Sequence, residues 1–387
     1  MSERRSFWGH FWLAKLFLQF AGLLPIGGSS CLWKSFLNQF LATLPLWTSF
    51  YILIPQFKFM FFQSPDIDSF LEAVLIAISV LTYQLRSIFV IAYRHRITRL
   101  FFVCERMLNE AAPADYSVIF IWAQRAKRIS TIYFCGAYCS VITFAVTSTV
   151  KQLSSAENST TKYYPFAPEE DSTPTLQYQI KFATQVLISY IGIAYIAACD
   201  MTGTILTLNM CGQLALIRSW LADVSRENVD ARGRRTDQSL ENVLMKCARR
   251  HQIVLEFCSE LGDVIRYNYL VQIVTEMYIM AVSGARLSKG SGSIQHLSTL
   301  LLAINGLLFS CWPADTLSFE STEIARAVYG VPWHRGSSRE KTMVAIMIAR
   351  SQRPATLRAG KFVQLSLQTF SSITSNGLSF CMVLLNI

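Results

Sequence analysis

A chain of 387 residues with 52% apolar, 13% aromatic and only 16% charged residues is too apolar for an ordinary soluble protein, and its mean hydropathy is positive. The composition is that of a polytopic membrane protein. A net charge of +10 would suit nucleic acid only with a basic face on a soluble domain. Here Lys and Arg fall in blocks between hydrophobic runs, which excludes nucleic acid as a partner.

The opening stretch, SERRSFWGHFWLAKLFLQFAGLLPIGG, has the basic start and apolar middle of a leader, but His10 and Lys15 interrupt it. It predicts an amphipathic helix lying on the inner leaflet, within a cytoplasmic N-terminal amphipathic or re-entrant segment spanning residues 1–35. Hydrophobic segments follow near Phe36–Phe57, Phe70–Tyr93, Ile129–Val150, Phe182–Gly212, Tyr267–Ala285, His296–Leu317 and Phe362–Ile387. Each approaches the ~20 residues that a bilayer crossing needs, giving seven predicted spans. The fifth is the weakest, because Glu256, Glu260, Asp263 and Arg266 load the helix leading into it.

The distribution of basic residues predicts the orientation. Connections Arg94–Arg128, Gln213–Arg250 and Glu320–Lys361 carry 7, 8 and 8 Lys and Arg, whereas the alternate connections carry few and one holds Glu169, Glu170 and Asp171. The basic connections are expected in the cytoplasm, together with Arg4, Arg5 and the N-terminus, which leaves Ile387 outside. The single N-x-S/T sequence, at Asn158, falls in a connection that this topology makes extracellular, and is the expected glycosylation site.

Residues 240–264 keep apolar side chains at three- and four-residue spacing, from Leu240, Val243, Leu244 and Cys247 to Leu261 and Val264. Such a cytoplasmic helix needs something to pack against, either a bundle within the chain or another subunit. Ten cysteines lie mostly in or beside apolar runs, and Cys135 and Cys139 sit one helical turn apart without further ligands. Packing is the expected role, with no disulfide framework and no metal. No phosphate-binding glycine loop, H-E-x-x-H or nucleophile elbow occurs, so no enzyme and no cofactor is expected.

The stretches STEIARAVYGVPW, IARSQRP, LRAGKFVQLSLQTFSSI and LSFCMVLL together resemble the C-terminal signature of the insect odorant receptors. Upstream, YYPFAPEEDSTPTLQYQI is similar to that family's second extracellular loop, RHQIVLEFCSEL to the start of its fifth helix and FAGLLP to its N-terminal segment. The resemblance covers nearly the whole chain. It implies an all-α membrane protein of seven transmembrane helices, N-terminus cytoplasmic and C-terminus extracellular, with cytoplasmic helical extensions forming an inter-subunit anchor. The implied division is transmembrane helices 1–6 with a ligand pocket over residues 36–319, an anchor segment over 320–361 and a pore-lining seventh helix over 362–387.

Functionally, the resemblance implies an odorant-gated, non-selective cation channel subunit that partners a shared co-receptor in a heteromeric complex, the tetramer being the family's form. The plasma membrane of olfactory sensory neurons is the implied location. The chain is short and lacks the long fourth-to-fifth helix insertion of the co-receptor, so it resembles a tuning subunit whose ligand is a small volatile organic molecule. In the family the last helix lines the pore and ends at its outer mouth, which answers to a chain that stops within an apolar run. Val383 and Ile387, four residues apart, share a face and match the constriction, which can gate by dewetting. Tyr329 and Trp333 are the expected packing anchors of the subunit interface.

The pocket implied lies in the outer half of the membrane between helices two, three, four and six, helped by five. That points to Val74, Ile78, Leu81 and Tyr83, then Thr143, Val146 and Thr147, then Gln185, Ser189, Tyr190 and Ile193, with Tyr278, Leu301 and Asn305. Ordinary helix packing is the competing reading for each. Arg86, Asp200, Glu276 and Asp315 are ionisable residues within spans and so functional candidates; Arg86 is expected to snorkel to the interface in preference to pairing with Asp200. Three alternatives remain. A G-protein-coupled receptor lacks support from the inverted charge pattern and from the missing D/E-R-Y and N-P-x-x-Y. A gustatory receptor would end its last helix with T-Y-x-x-x-x-x-Q, from which SFCMVLLN departs, and a transporter would show a repeat or broken helix.

Overall fold

The computed structural model describes residues 11–24, 32–62, 67–155, 161–168, 170–171, 174–227, 240–289 and 294–385. Asn158 and Ile387 lie outside the described residues. The chain is a bundle of long helices: α1 (Trp12–Phe20), α2 (Leu32–Thr48), α3 (Phe50–Phe62), α4 (Ile67–Asn109), α5 (Tyr116–Ser154), α6 (Thr175–Glu227), α7 (Leu240–Ser288), α8 (Ile294–Tyr329), α9 (Ser338–Ser351) and α10 (Leu367–Leu385). Two small antiparallel ribbons accompany them, β1 (Thr161–Lys162) with β2 (Glu170–Asp171), and β3 (Arg358–Ala359) with β4 (Val363–Gln364).

Six of the described helical units are long and apolar enough to cross a membrane, so the protein is a multi-span, all-α membrane bundle. α4, α6 and α7 run for 43, 53 and 49 residues. At 1.5 Å per residue that is roughly 65–80 Å, more than twice the ~30 Å hydrocarbon core, so each continues well beyond the membrane. The basic connections read from sequence are therefore largely helix, not loop. α10 has 19 residues, long enough to cross, but Gln368, Ser371, Ser372, Ser375 and Asn376 keep it more polar than those six.

The first hydrophobic segment is two helices meeting at Ser49, with Pro45 inside α2 and Pro55 inside α3. Each proline removes a backbone donor, which weakens the helix on both sides of the junction. α1 buries Ala14 and Leu18 and stacks Phe17 on Phe134 of α5 at 4.2 Å, while Trp12, Leu16 and Phe20 remain exposed on another face. It therefore packs on the bundle as well as presenting an apolar stripe suited to lipid.

The core is centred on α6, where Ala197, Ala198, Leu206, Leu208, Met210, Cys211, Leu214 and Ile217 are wholly buried. Small residues allow close approach there: a side chain at Gly203 would collide with Tyr269, and one at Gly212 would press on Trp122. The amphipathic face of α7 before the membrane, including Leu244, Cys247, Val254 and Leu261, is buried within the chain itself. All cysteines among the described residues are free; Cys135 and Cys139 are exposed on α5 and most others are buried.

After α8 the chain turns through Pro332 into a single 3-10 turn, and Ser337 then starts α9 by a reciprocal cap with Glu340. Trp333 donates through Nε1 to the Tyr329 carbonyl at 3.2 Å, and Tyr329 is exposed. Ser366 begins α10 by accepting from the Thr369 amide at 3.1 Å, and Asp315 of α8 accepts from the Leu367 amide. One narrow stripe of α10, Ile373, Gly377 and Cys381, faces the chain. Side chains built at Gly377 and Gly284 would come within 3.3 Å of Met280 and 3.2 Å of Cys381, so α10 and α7 interlock glycine to side chain.

Candidate functional site: an apolar cavity in the bundle

A cavity of about 240 Å³ lies between the α2–α3 junction and helices α4 to α8. Its walls are mainly apolar: Ile52, Leu75, Ile76, Val80, Val141, Phe144, Ile188, Ile193, Ile196, Ile279, Leu302 and Ala303. That is a little below the roughly 300–1,000 Å³ of sites for drug-sized ligands, and suits one smaller organic molecule.

Phe166, from the segment between β1 and β2, also lines the cavity. Its ring stacks on Phe144 at 5.0 Å, its amide donates to Gln185 Oε1 at 3.1 Å and its carbonyl accepts from Gln56 Nε2 at 3.0 Å. Two glutamines from different helices thus fix the backbone of one lining aromatic residue. Ser49, at the α2–α3 junction, also lines the cavity and accepts from Gln84 Nε2 at 2.6 Å.

One end is polar. Arg86 of α4 pairs with Asp200 of α6, and its Nε donates to Asn268 Oδ1 of α7 at 2.9 Å. Tyr133 of α5 donates its hydroxyl to the second Asp200 oxygen. Arg86 does not snorkel: it is 4% exposed, and the interior partners that sequence reasoning left unsupported hold it in place. A charge buried at membrane depth is tolerable only when paired and hydrogen-bonded, and this one is both. Glu276 and Gln272 of α7 lie alongside, with Gln272 Nε2 donating to Glu276 Oε1 at 2.8 Å and to the Gly306 carbonyl at 3.3 Å. Thr82 and Thr275 bridge α4 and α7 at 2.7 Å.

Of the pocket residues expected from sequence, the cavity brings together Tyr83, Ser189 and Ile193, and the ionisable candidates Arg86, Asp200 and Glu276 line it too. Val74, Ile78, Leu81, Thr143, Val146, Thr147, Gln185, Tyr190, Tyr278, Leu301 and Asn305 sit on the same helices outside its lining. Leu81, Val146 and Leu301 are exposed on the outside of the bundle. Thr143 instead bridges to Ser298 of α8 at 2.8 Å, Tyr190 stacks on Tyr138 at 5.4 Å, and Gln185 accepts from the Phe166 amide. On α4 the lining residues Leu75, Ser79 and Thr82 are offset by one from the predicted Val74, Ile78 and Leu81. The sequence reading also missed Ser49, Ile52 and Phe166, for which the glutamines and the aromatic in the loop carried no periodic signal.

The sequence of residues 66–377 matches the family model described as the 7tm odorant receptor. The chain belongs to the odorant receptor family. Relatives of this receptor include odorant receptor 22c of Drosophila melanogaster, 23% identical over 46% of each chain. Odorant receptor 67c of the same fly is 23% identical over 66% of this receptor and 64% of its own length. The odorant receptor coreceptor of Anopheles gambiae is 23% identical over 40% of this receptor and 33% of that chain. The matched stretch spans less than half the length of the first of these relatives, so similarity is concentrated in part of the chain. The fold is shared throughout. The structure of olfactory receptor OR5 from Machilis hrabei in complex with eugenol superposes with a TM-score of 0.78, at 14% identity, over 97% of both chains. Membership places the receptor in a class that is not enzymatic, and among its described residues no group of three His, Cys, Asp or Glu is arranged to hold a metal.

Proposed function

We propose that this receptor is the tuning subunit of an odorant-gated, non-selective cation channel that acts in olfaction together with the odorant-receptor co-receptor, as a heteromeric, tetrameric complex. The observation that carries the reading is the mainly apolar cavity within the bundle, lined by Phe166 among others, in a chain whose family and fold are those of odorant receptors. A small volatile organic molecule is the occupant such walls favour. Support for the tuning role is that only residues 228–239 separate α6 from α7, where a co-receptor would carry its insertion.

In this reading α10 is the seventh span. The N-terminus is cytoplasmic, Ile387 is extracellular and the receptor resides in the plasma membrane of olfactory sensory neurons. The Phe166 segment is then extracellular and Asn158 beside it is available for glycosylation. Tyr329 and Trp333 contribute to a cytoplasmic subunit interface. The polar side of α10 lines a water-filled path, with Val383 at an apolar constriction and Ile387 next outward.

Coupling from cavity to gate runs along α7. Thr275, Glu276 and Ile279 line the cavity, and Met280 and Gly284, the next residues along the helix, seat Gly377 and Cys381 of α10. A ligand that tilts or rotates α7 moves α10 with it. To open the gate it must bind the open arrangement better, and a preference of ~3 kcal/mol shifts the equilibrium by about two powers of ten.

The test is whole-cell recording during odorant-panel pulses, in cells expressing the receptor with and without an insect co-receptor and with G-protein signalling blocked. A fast cation current only in co-expressing cells, absent with co-receptor alone, is expected. A current abolished by the block would overturn the channel reading in favour of a G-protein-coupled one.

A further inference from the structure

Glu276 carries a carboxylate to the wall of the cavity at membrane depth and is 7% exposed. Its Oε1 accepts from Gln272, but no described residue donates to Oε2, which is also shielded from solvent. The neighbouring donors are committed elsewhere. Arg86 serves Asp200 and Asn268, and Tyr133 serves Asp200. Opposite Glu276 stands Gly306, where any side chain would collide with the carboxylate, so α8 leaves room for the group without supplying a partner. An unsatisfied buried acceptor is costly, and a carboxylate within a span more so. Around it Thr82 pairs with Thr275, and Ser310 bonds to Gln272.

We propose that Glu276 is the polar anchor of the cavity, receiving a hydrogen bond from the hydroxyl or amino head group of a ligand whose remaining skeleton is small and apolar. This rests on the reading of the cavity as the ligand site. The apolar walls take the skeleton, while the carboxylate selects for a donor. A ligand that only accepts, such as an ether, leaves Oε2 as it is in the empty receptor. Hydrogen bonds to carboxylates are among the stronger ones, so a preference near tenfold is expected between otherwise matched ligands.

The test is ligand-induced thermal stabilisation of the purified full-length receptor, which reads binding without requiring a current. The panel is one aryl-ethyl skeleton bearing a hydroxyl, a primary amine, a methyl ether or hydrogen. The expected result is that the alcohol or the amine binds about tenfold more tightly than the ether and the hydrocarbon, and that Glu276→Leu removes the difference. If Glu276→Leu fails to fold, Glu276→Met, closer in length and without an oxygen acceptor, makes the same comparison. Equal binding of ether and alcohol, or a donor preference that survives Glu276→Leu, would overturn the anchor and leave the cavity as the ligand site. Absence of stabilisation by every member, with odorant-evoked currents intact, would instead remove the cavity itself and the anchor with it.

Discussion

Arg86 on α4 and Asp200 on α6 form an ion pair almost wholly removed from solvent, directly beneath the apolar cavity. Asn268 and Tyr133 bond to the same pair, so four helices meet at one charge. Removing one member strands the other. Arg86→Met is expected to destabilise the receptor by about 3–5 kcal/mol, and the double change Arg86→Met with Asp200→Asn to recover much of that loss. Thermal unfolding of detergent-solubilised protein measures both; equal loss in the single and double variants would mean that the pair is not the source of the stability.

Ile193 lines the cavity and Thr147 does not, its hydroxyl donating instead to the Thr143 carbonyl within α5. Ile193→Phe should therefore reorder the receptor's preference among odorants, with ion permeability ratios unchanged. Thr147→Phe should leave that order as it is. Dose–response curves over one odorant panel check the pair, and a shift caused by Thr147 alone would move the site towards the end of α5.

These two residues also show what the sequence makes legible. Spans were readable because length and apolarity suffice to identify them, and the blocks of Lys and Arg between them are strong signals. Which face of a span looks inward was not. Leu81 faces outwards and Leu75 lines the cavity, yet both are leucines on one helix, because lipid and cavity ask for the same side-chain chemistry. With no polarity contrast around the helix, periodicity cannot set the register. The Arg86–Asp200 pair illustrates the converse difficulty: both charges were visible, but their separation of more than a hundred residues hid the contact until α4 and α6 were placed side by side.

Phe166 is held by Gln185 and Gln56 and stacks on Phe144 in the wall of the cavity, where it can act as a plug if the ligand leaves past it. A stacked aromatic pair contributes about 0.5–1.5 kcal/mol, so Phe166→Ala should weaken ligand affinity by roughly 2- to 10-fold, chiefly through faster release. Deactivation of the current after odorant washout is the readout. Gln185→Leu, which removes the acceptor for the Phe166 amide, should act in the same direction. Unchanged deactivation in both variants would show that the segment is not a plug.

Gly284 of α7 accommodates Cys381 of α10, and Gly377 of α10 accommodates Met280 of α7. If this interlock transmits binding to the gate, Gly284→Val should uncouple the two. Ligand-induced thermal stabilisation persists in the purified variant, while evoked current falls by about an order of magnitude or more at saturating ligand, since a steric clash of this kind costs roughly 1–3 kcal/mol. Loss of both readouts would instead mark the contact as a requirement for folding.

Val383 lies on the exposed side of α10, four residues from Ser379 and away from the Ile373, Gly377 and Cys381 stripe that packs on the chain. A constriction that closes by dewetting depends on its apolar surface, so a polar side chain of similar size should hydrate it without any change in the ligand site. Val383→Asn is expected to produce a standing cation current in the absence of odorant, and Val383→Leu to keep the resting channel closed. The affinity of the cavity, read by thermal stabilisation, should be the same in both. Recording resting current across Asn substitutions at Phe380, Met382 and Val383 resolves the register, because neighbouring residues on a helix point about 100° apart and only the one facing the axis can wet the gate. A standing current from Met382→Asn and none from Val383→Asn would turn the pore-facing side of α10 by one residue. Silence at all three positions would remove α10 from the conduction path.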